Sequence, residues 1–393
     1  MGLAECLARI DARDADVRAW SYLDRAALGG NGPLAGVVLG VKDVIDVAGM
    51  PTTHGSPIFA DNIASEDAEA VALLRRAGAV VLGKTVTAEF ATYHPGPTVN
   101  PRKPGHTPGG SSSGSAAAVA DGQADIALGT QTAGSMIRPA SFCGTFAFKP
   151  SRGRYPVKGV LDTATSLDTL GVFGRSLALL ATVDAVLSGE SESAAARRPL
   201  RVGLCKMPDW DKASTEMQDA LLGCGAKLAA AGCVVTDVTL PEPFERLGAA
   251  QSLIHRCEAA HEMGWIRREH PDQVSPTFRD MIDAGAATPD ADYAAARALQ
   301  NDCRGLLSQV FAEVDVLLAP GAPGVAPEGL SATGDPMFQR IWTATGAPCL
   351  GFPGAWRSDG LPLGLQVIGL PGADRQLLAD AETIIAQAVL REA

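Results

Sequence analysis

Pro108-Gly109-Gly110-Ser111-Ser112-Ser113-Gly114-Ser115 runs directly into Ala116-Ala117-Ala118-Val119-Ala120. A flexible linker does not normally open into a helix pattern, so the run reads as a shaped loop in front of a small-residue helix over 115 to 121. It offers backbone N–H groups, several hydroxyls and room for another segment to approach closely. Two chemistries fit: an anion cradle at a helix N-terminus, or a hydroxyl-based active site. The flanking sequence decides between them.

Upstream, Val37-Val38-Leu39-Gly40-Val41 is an apolar β-branched run that predicts a buried strand, with Lys42-Asp43 at its end. Residues 66 to 78 predict an amphipathic helix with Ser65 as N-cap and Gly78 as its stop, followed by a strand over Ala79 to Gly83. Downstream, Ile126-Ala127-Leu128-Gly129 predicts a strand entering Thr130-Gln131-Thr132-Ala133-Gly134-Ser135, a second dense loop about two dozen residues after the first. Residues 3 to 28 read as a helical start ended by Gly29-Gly30-Asn31-Gly32-Pro33. Further on come a helix at 176 to 188, a polar connection at 190 to 198, a strand at 201 to 204 and a helix at 215 to 231. A largely helical region spans 245 to 311, and strands at 315 to 320 and 365 to 369 close the chain. This alternation predicts an α/β sheet covered by helices. With no repeat or low-complexity tract, one catalytic domain over 1–393 is the simplest organisation.

The composition excludes several classes. Of 393 residues, 46% are apolar and 20% charged, which describes a foldable globular chain rather than a disordered one. A net charge of −11 with dispersed Lys and Arg argues against nucleic-acid binding, because phosphate neutralisation needs clustered cations. No run of about 18 uninterrupted apolar residues predicts a membrane span. Glu5 and Arg9 interrupt the place where a signal peptide would be apolar, so a cytoplasmic location is expected. Eight cysteines lie scattered without a Cys-x-x-Cys pair; reduced, mostly buried thiols are expected, with neither zinc nor a disulfide framework.

A lysine at a strand end, if desolvated, loses its charge and becomes a base toward a serine hydroxyl. Lys42, Ser111 and Ser135 supply those groups, although Lys42 alone could equally extend its ammonium into water. The motifs around them are long: Gly40 to Ser56, Pro108 to Ala120, Leu128 to Ser135 continuing through Arg138-Pro139-Ala140-Ser141-Phe142-Cys143-Gly144, and Phe148-Lys149-Pro150-Ser151. Weaker echoes follow in Gly346-Ala347-Pro348 and Gly360 to Gly369. Together they resemble the amidase signature family of serine hydrolases, most strongly over 33–175 and most nearly its malonamidase-type small amidases.

The resemblance implies a mixed, mostly parallel central twisted sheet with helices on both faces. It also implies an amide C–N hydrolase needing no cofactor, in which Ser135 is the nucleophile, Ser111 a bridging serine in a cis peptide and Lys42 the general base. The oxyanion hole would be the backbone N–H groups of Thr132, Ala133, Gly134 and Ser135, with Thr130, Gln131 and Ser112 in support. Three positions depart from the commonest pattern: Gln131 for Asp, Ala133 for a glycine and Ser113 for a glycine. Arg138 is similar to the arginine that holds a substrate carboxylate in malonamidase-type members, while its bland reading is a structural salt bridge or a hydrogen bond to loop carbonyls. By family position, Tyr93-His94-Pro95, Phe338, Ile341 and Trp342 are pocket candidates. The expected substrate is a small amide, and pairing of the chain with itself is left open. The competing readings are a phosphate cradle, a metal-dependent amidase and a glutamine amidotransferase component that delivers ammonia to a partner. The cradle lacks Gly-Lys-Ser/Thr, and the metal enzyme lacks a ligand cluster.

Overall fold

A computed structural model of the chain describes residues 2–190 and 194–388, so part of the connection read over 190 to 198 lies outside the described residues. The strands are β1 Trp20–Leu23, β2 Val38–Lys42, β3 Val80–Thr85, β4 Ile126–Gln131, β5 Phe146–Lys149, β6 Thr169–Gly174, β7 Arg201–Cys205, β8 Val234–Val238, β9 Val316–Pro320, β10 Cys349–Trp356 and β11 Pro362–Ile368. The helices are α1 Leu3–Val17, α2 Glu69–Arg76, α3 Ser113–Ala120, α4 Ile137–Cys143, α5 Leu177–Ser188, α6 Thr215–Ala230, α7 Pro243–Glu269, α8 Pro276–Ala286, α9 Asp290–Val310, α10 Met337–Thr345 and α11 Asp374–Ala388.

All eleven strands join one mixed sheet in the order β1-β3-β2-β4-β6-β5-β10-β11-β9-β7-β8. The parallel pairings fall in two blocks, β3–β2–β4 and β9–β7–β8. Between them β6, β5, β10 and β11 pair antiparallel, as does β1 at the edge, so parallel character is confined to those blocks rather than prevailing throughout. For β10 and β11 the cause is connection length, because β10 returns into β11 through a short turn that leaves no room for a parallel crossover.

Two other expectations change. The helical start stops at Val17, where Arg18 turns left-handed and Trp20–Leu23 leaves as an edge strand against β3. Trp20 and Tyr22 suit a pleated edge, which alternation too short to register in sequence had hidden. Ser65 is not the cap of α2, which begins at Glu69 behind Ala68 and has no side-chain cap.

Strands β2, β3 and β4 are buried along their whole length, as apolar runs in a parallel block require. Helix α3 packs beside them because it is built of Ser, Gly, Ala and Val, with Ser113 to Val119 all buried. Gly114 is the tightest point: a Cβ there would stand 2.2 Å from the Ala19 carbonyl oxygen and 2.4 Å from the Val86 nitrogen. The loop's glycine therefore lets the helix start lie directly against the end of β3. All eight cysteines are free, six of them buried.

Lys84 and Asp43, both closed off from solvent, form an ion pair at 3.0 Å, and Lys84 also donates to the Pro51 carbonyl and the Thr52 hydroxyl. Removing one partner of a buried pair leaves an uncompensated charge, typically at about 3–5 kcal/mol. Lys84→Met is therefore expected to lower the denaturant midpoint of unfolding strongly, and an unchanged midpoint would remove this pair from the account of the fold.

Candidate active site

Lys42 ends β2 with 0% exposure and donates to Ser111 Oγ at 2.9 Å and Thr130 Oγ1 at 2.7 Å. The parallel register sets Val41 beside Leu128, which brings Thr130, two residues on, to the end of Lys42. No carboxylate forms an ion pair with Lys42 among the described residues, in contrast to Lys84 on the neighbouring strand. Burial pushes its pKa down from 10.5 to about 7, opposed by the more distant charge of Asp168.

The glycine-serine loop faces this amine with one hydroxyl. The Gly110–Ser111 peptide bond is cis, Ser111 is 1% exposed, and its carbonyl accepts from Ala88 N–H at 3.0 Å. Ser112 Oγ donates instead to the Thr130 carbonyl at 3.2 Å, tying the first loop to the second, and Ser113 Oγ points to the Val86 carbonyl.

The second loop is fixed by its carbonyls. Thr132 O accepts from Gln251 Nε2 on α7 at 2.8 Å, Ala133 O from Thr343 Oγ1 on α10 at 2.7 Å, and Gly134 O from the Arg138 amide at 3.0 Å. In a trans peptide the C=O and the next N–H point in opposite directions. Anchoring these three carbonyls therefore turns the Ala133, Gly134 and Ser135 N–H groups away from the anchors. Among the described residues, the N–H groups of Thr132 through Ser135 donate to no protein acceptor. They are four successive free donors along one loop, the kind of group that can receive a negatively charged oxygen. Ser135 is 7% exposed, and its hydroxyl makes no hydrogen bond among the described residues.

Register explains a further contact. Gln131 pairs with Thr169 across the antiparallel β4–β6 ladder, so Thr132 meets Asp168, and the Thr132 hydroxyl donates to its carboxylate. Thr163 and Ala164 N–H groups also donate to Asp168. Burial raises this carboxyl from 3.8 to about 6, with those three donors working the other way.

Arg138, 2% exposed, has two uses for its guanidinium. Nη2 donates to the Gly110 carbonyl at 2.6 Å and to Thr333 Oγ1 at 3.1 Å, while Nε and Nη1 are buried without a protein partner. Burial lowers its pKa to about 10, with the charge of Asp335 and a coupling to Tyr93 opposing, and that of Arg340 assisting. Tyr93 in turn meets His255 Nδ1 at 3.3 Å, and His255 Nε2 and Arg340 Nε are likewise buried and unpaired. Phe338, Ile341 and Trp342 belong instead to the main core, being 0–3% exposed. Among the described residues no group of three or more His, Cys, Asp or Glu side chains could hold a metal ion, and no helix is long and apolar enough to cross a membrane.

Sequence reasoning missed Gln251, Thr343, Asp168 and Thr333. Each reaches the two loops from far along the chain, and none stands in a short motif that spacing could reveal.

A family model described as Amidase matches residues 3–378. The 2-amino-5-chloromuconic acid deaminase of Comamonas testosteroni is 32% identical over 388 residues, spanning 91% of this chain and 83% of its own. A glutamyl-tRNA(Gln) amidotransferase chain of Synechococcus sp. (strain RCC307) is 32% identical over 400 residues, spanning 88% of this chain and 82% of that protein. A crystal structure of an amidase has a TM-score of 0.88 at 32% identity, covering 98% of this chain and 95% of that one. With the family model running almost end to end and the mixed eleven-stranded fold shared, the chain belongs to the Amidase family.

Proposed function

We propose that this chain, an amidase-family hydrolase of amide C–N bonds, works through a Lys42–Ser111–Ser135 triad and an acyl-enzyme on Ser135. The observation that carries the reading is a buried lysine without a counter-ion, lowered to about 7 and held 2.9 Å from a serine hydroxyl. A neutral amine has two N–H bonds and one lone pair. With Thr130 Oγ1 accepting one N–H, the lone pair is free to face Ser111.

Lys42 Nζ takes the Ser111 proton as Ser111 Oγ takes that of Ser135, and Ser135 Oγ attacks the amide carbonyl. The carbonyl oxygen becomes negative against the free N–H groups of Thr132 to Ser135. The proton returns through Ser111 to the leaving nitrogen, the C–N bond breaks, and ammonia or an amine departs. Water, deprotonated along the same path, then splits the ester and restores Ser135. Catalytic hydrogen bonds commonly tighten only with substrate in place, which fits the unengaged Ser135 hydroxyl.

The substrate we propose is a small amide bearing a carboxylate, in the manner of malonamidase-type members. The support is Arg138, whose Nε and Nη1 are buried and unpaired near the start of α4. A substrate carboxylate reaching Nη1 would supply a charged acceptor that the protein itself does not. A cytoplasmic location and the absence of nucleic-acid or membrane partners fit the acidic, thiol-rich composition. Likeness to an amidotransferase chain keeps a second reading, in which ammonia is released for a partner. Hydrolysis of an amide panel by the purified chain, without ATP or partner, favours the first; silence across the panel favours the second.

Because neutral Lys42 is the base, activity should rise with pH through about 7. Lys42→Ala should remove that rise with most of the rate, and a mutant profile like the wild type would exclude Lys42. Stability should rise with pH as well, and removing the amine should raise stability where it lowers activity. The folded pKa lies below the unfolded 10.5, so burying the ammonium costs stability fully below about pH 7, and the cost fades as pH climbs toward 10.5. Lys42→Met should thus melt higher than the wild type in mildly acidic buffer, with the gap closing in alkaline buffer; equal melting at both would deny the depressed pKa.

For Arg138, kcat/KM on carboxylate-bearing monoamides should fall in Arg138→Ala by roughly ten- to hundredfold more than on neutral amides, the worth of a hydrogen bond to a charged group. A loss equal on both would mean that only its hold on the Gly110 carbonyl matters.

A further inference from the structure

Gln131 stands at a position where the resemblance drawn from the sequence implies a carboxylate. Gln131 is fully buried, and its amide uses both ends. Oε1 accepts from the Met136 and Ile137 N–H groups at 2.9 and 3.2 Å, and Nε2 donates to Thr343 Oγ1 at 2.9 Å. The two backbone donors fix which end of the amide is oxygen, so the side chain cannot be turned over without facing N–H to N–H. Thr343 Oγ1, having accepted from Gln131, directs its own proton to the Ala133 carbonyl at 2.7 Å. The chain of donors is thus Gln131 to Thr343 to Ala133, with one direction throughout.

We infer that Gln131 is a positioning residue for the oxyanion seat, acting through Thr343. The pair holds the Ala133 carbonyl outward and so aims the Gly134 N–H, in the same peptide plane, at the place where the substrate oxygen turns negative. A carboxylate cannot do this in the same way. Ionised, it could serve Met136 and Ile137 but would offer Thr343 no proton, and would draw the threonine's proton toward itself. The Ala133 carbonyl would then be buried without a donor. A neutral amide keeps the donor chain intact at every pH. The inference rests on reading Ser135 and its loop as the reaction centre.

The test uses the full-length enzyme, a hydrolysed amide found in the panel, and the variants Thr343→Val, Thr343→Ser, Gln131→Glu, the pair Gln131→Glu/Thr343→Val, and Ser135→Ala. Thr343→Val should lower kcat by roughly ten- to hundredfold with KM little changed, short of the 10²–10³ cost of losing an oxyanion donor outright. Thr343→Ser, which keeps the hydroxyl, should restore most of the rate. Gln131→Glu should lose rate progressively as its introduced carboxyl ionises with rising pH, a limb the wild type lacks. That extra loss should vanish in the double variant, because the hydroxyl it acts through is gone. A wild-type kcat in a folded Thr343→Val, failure of serine to rescue, or purely additive effects in the double variant would overturn the inference. If Ser135→Ala keeps its activity, the reading of the reaction centre fails instead, and the two outcomes are distinct.

Discussion

A cationic side chain has been taken out of water without an anion to receive it, and the site depends on that one constraint. Desolvation of an unpaired ammonium is costly enough that proteins answer it by pairing the charge or giving it up. Both answers stand side by side on adjacent strands. Lys84, on β3, is paired with Asp43 and remains structural. Lys42, on β2, meets among the described residues only the hydroxyls of Ser111 and Thr130, which accept from an amine but do not neutralise a charge. The burial that would be a defect in a purely structural lysine is what makes this one basic near neutral pH.

The second requirement is orientation of backbone rather than side chain. A loop of small residues leaves its N–H groups accessible but, by the same smallness, does not determine where they point. The direction is imposed from outside: Gln251 from α7, Thr343 from α10 and the first turn of α4 each take one carbonyl in succession. Donors fixed before the substrate arrives need no reorganisation when charge develops, which is where such groups gain their effect. The helices between β8 and β10 therefore do more than cover the sheet. They hold the loop that follows β4.

This division explains what could be read from the chain beforehand. Lys42, Ser111 and Ser135 lie within dense motifs because each sits at a strand end or tight loop rich in glycine and serine, and Arg138 follows directly in the first turn of α4. The two loops were legible for that reason, whereas Ser111 was singled out among three serines by the family resemblance, and its hydroxyl is the one that meets the lysine. Gln251 and Thr343 were illegible because a side chain that supports a loop from a long helix needs only reach, and no local pattern marks it. The sheet showed the same asymmetry. Buried parallel strands announced themselves as apolar runs, whereas β1, four residues with half-buried and exposed positions, carried too little pattern to separate it from the helix before it.

Asp168 completes the electrostatics and limits how far Lys42 can be depressed. Its carboxyl receives three donors, from Thr132, Thr163 and Ala164, an environment that favours the ionised form, while burial opposes it and leaves the group at about 6. As pH rises through that point the carboxyl gains its charge, tightens its grip on Thr132 and simultaneously favours the protonated form of Lys42. The two groups thus work against each other: the charge that steadies the Thr132 loop holds back the deprotonation that the proposed triad asks of Lys42. Distance resolves the conflict. Asp168 acts on Lys42 through space without a hydrogen bond, whereas it holds Thr132 directly, so the loop receives the larger share of its influence and desolvation still decides the lysine.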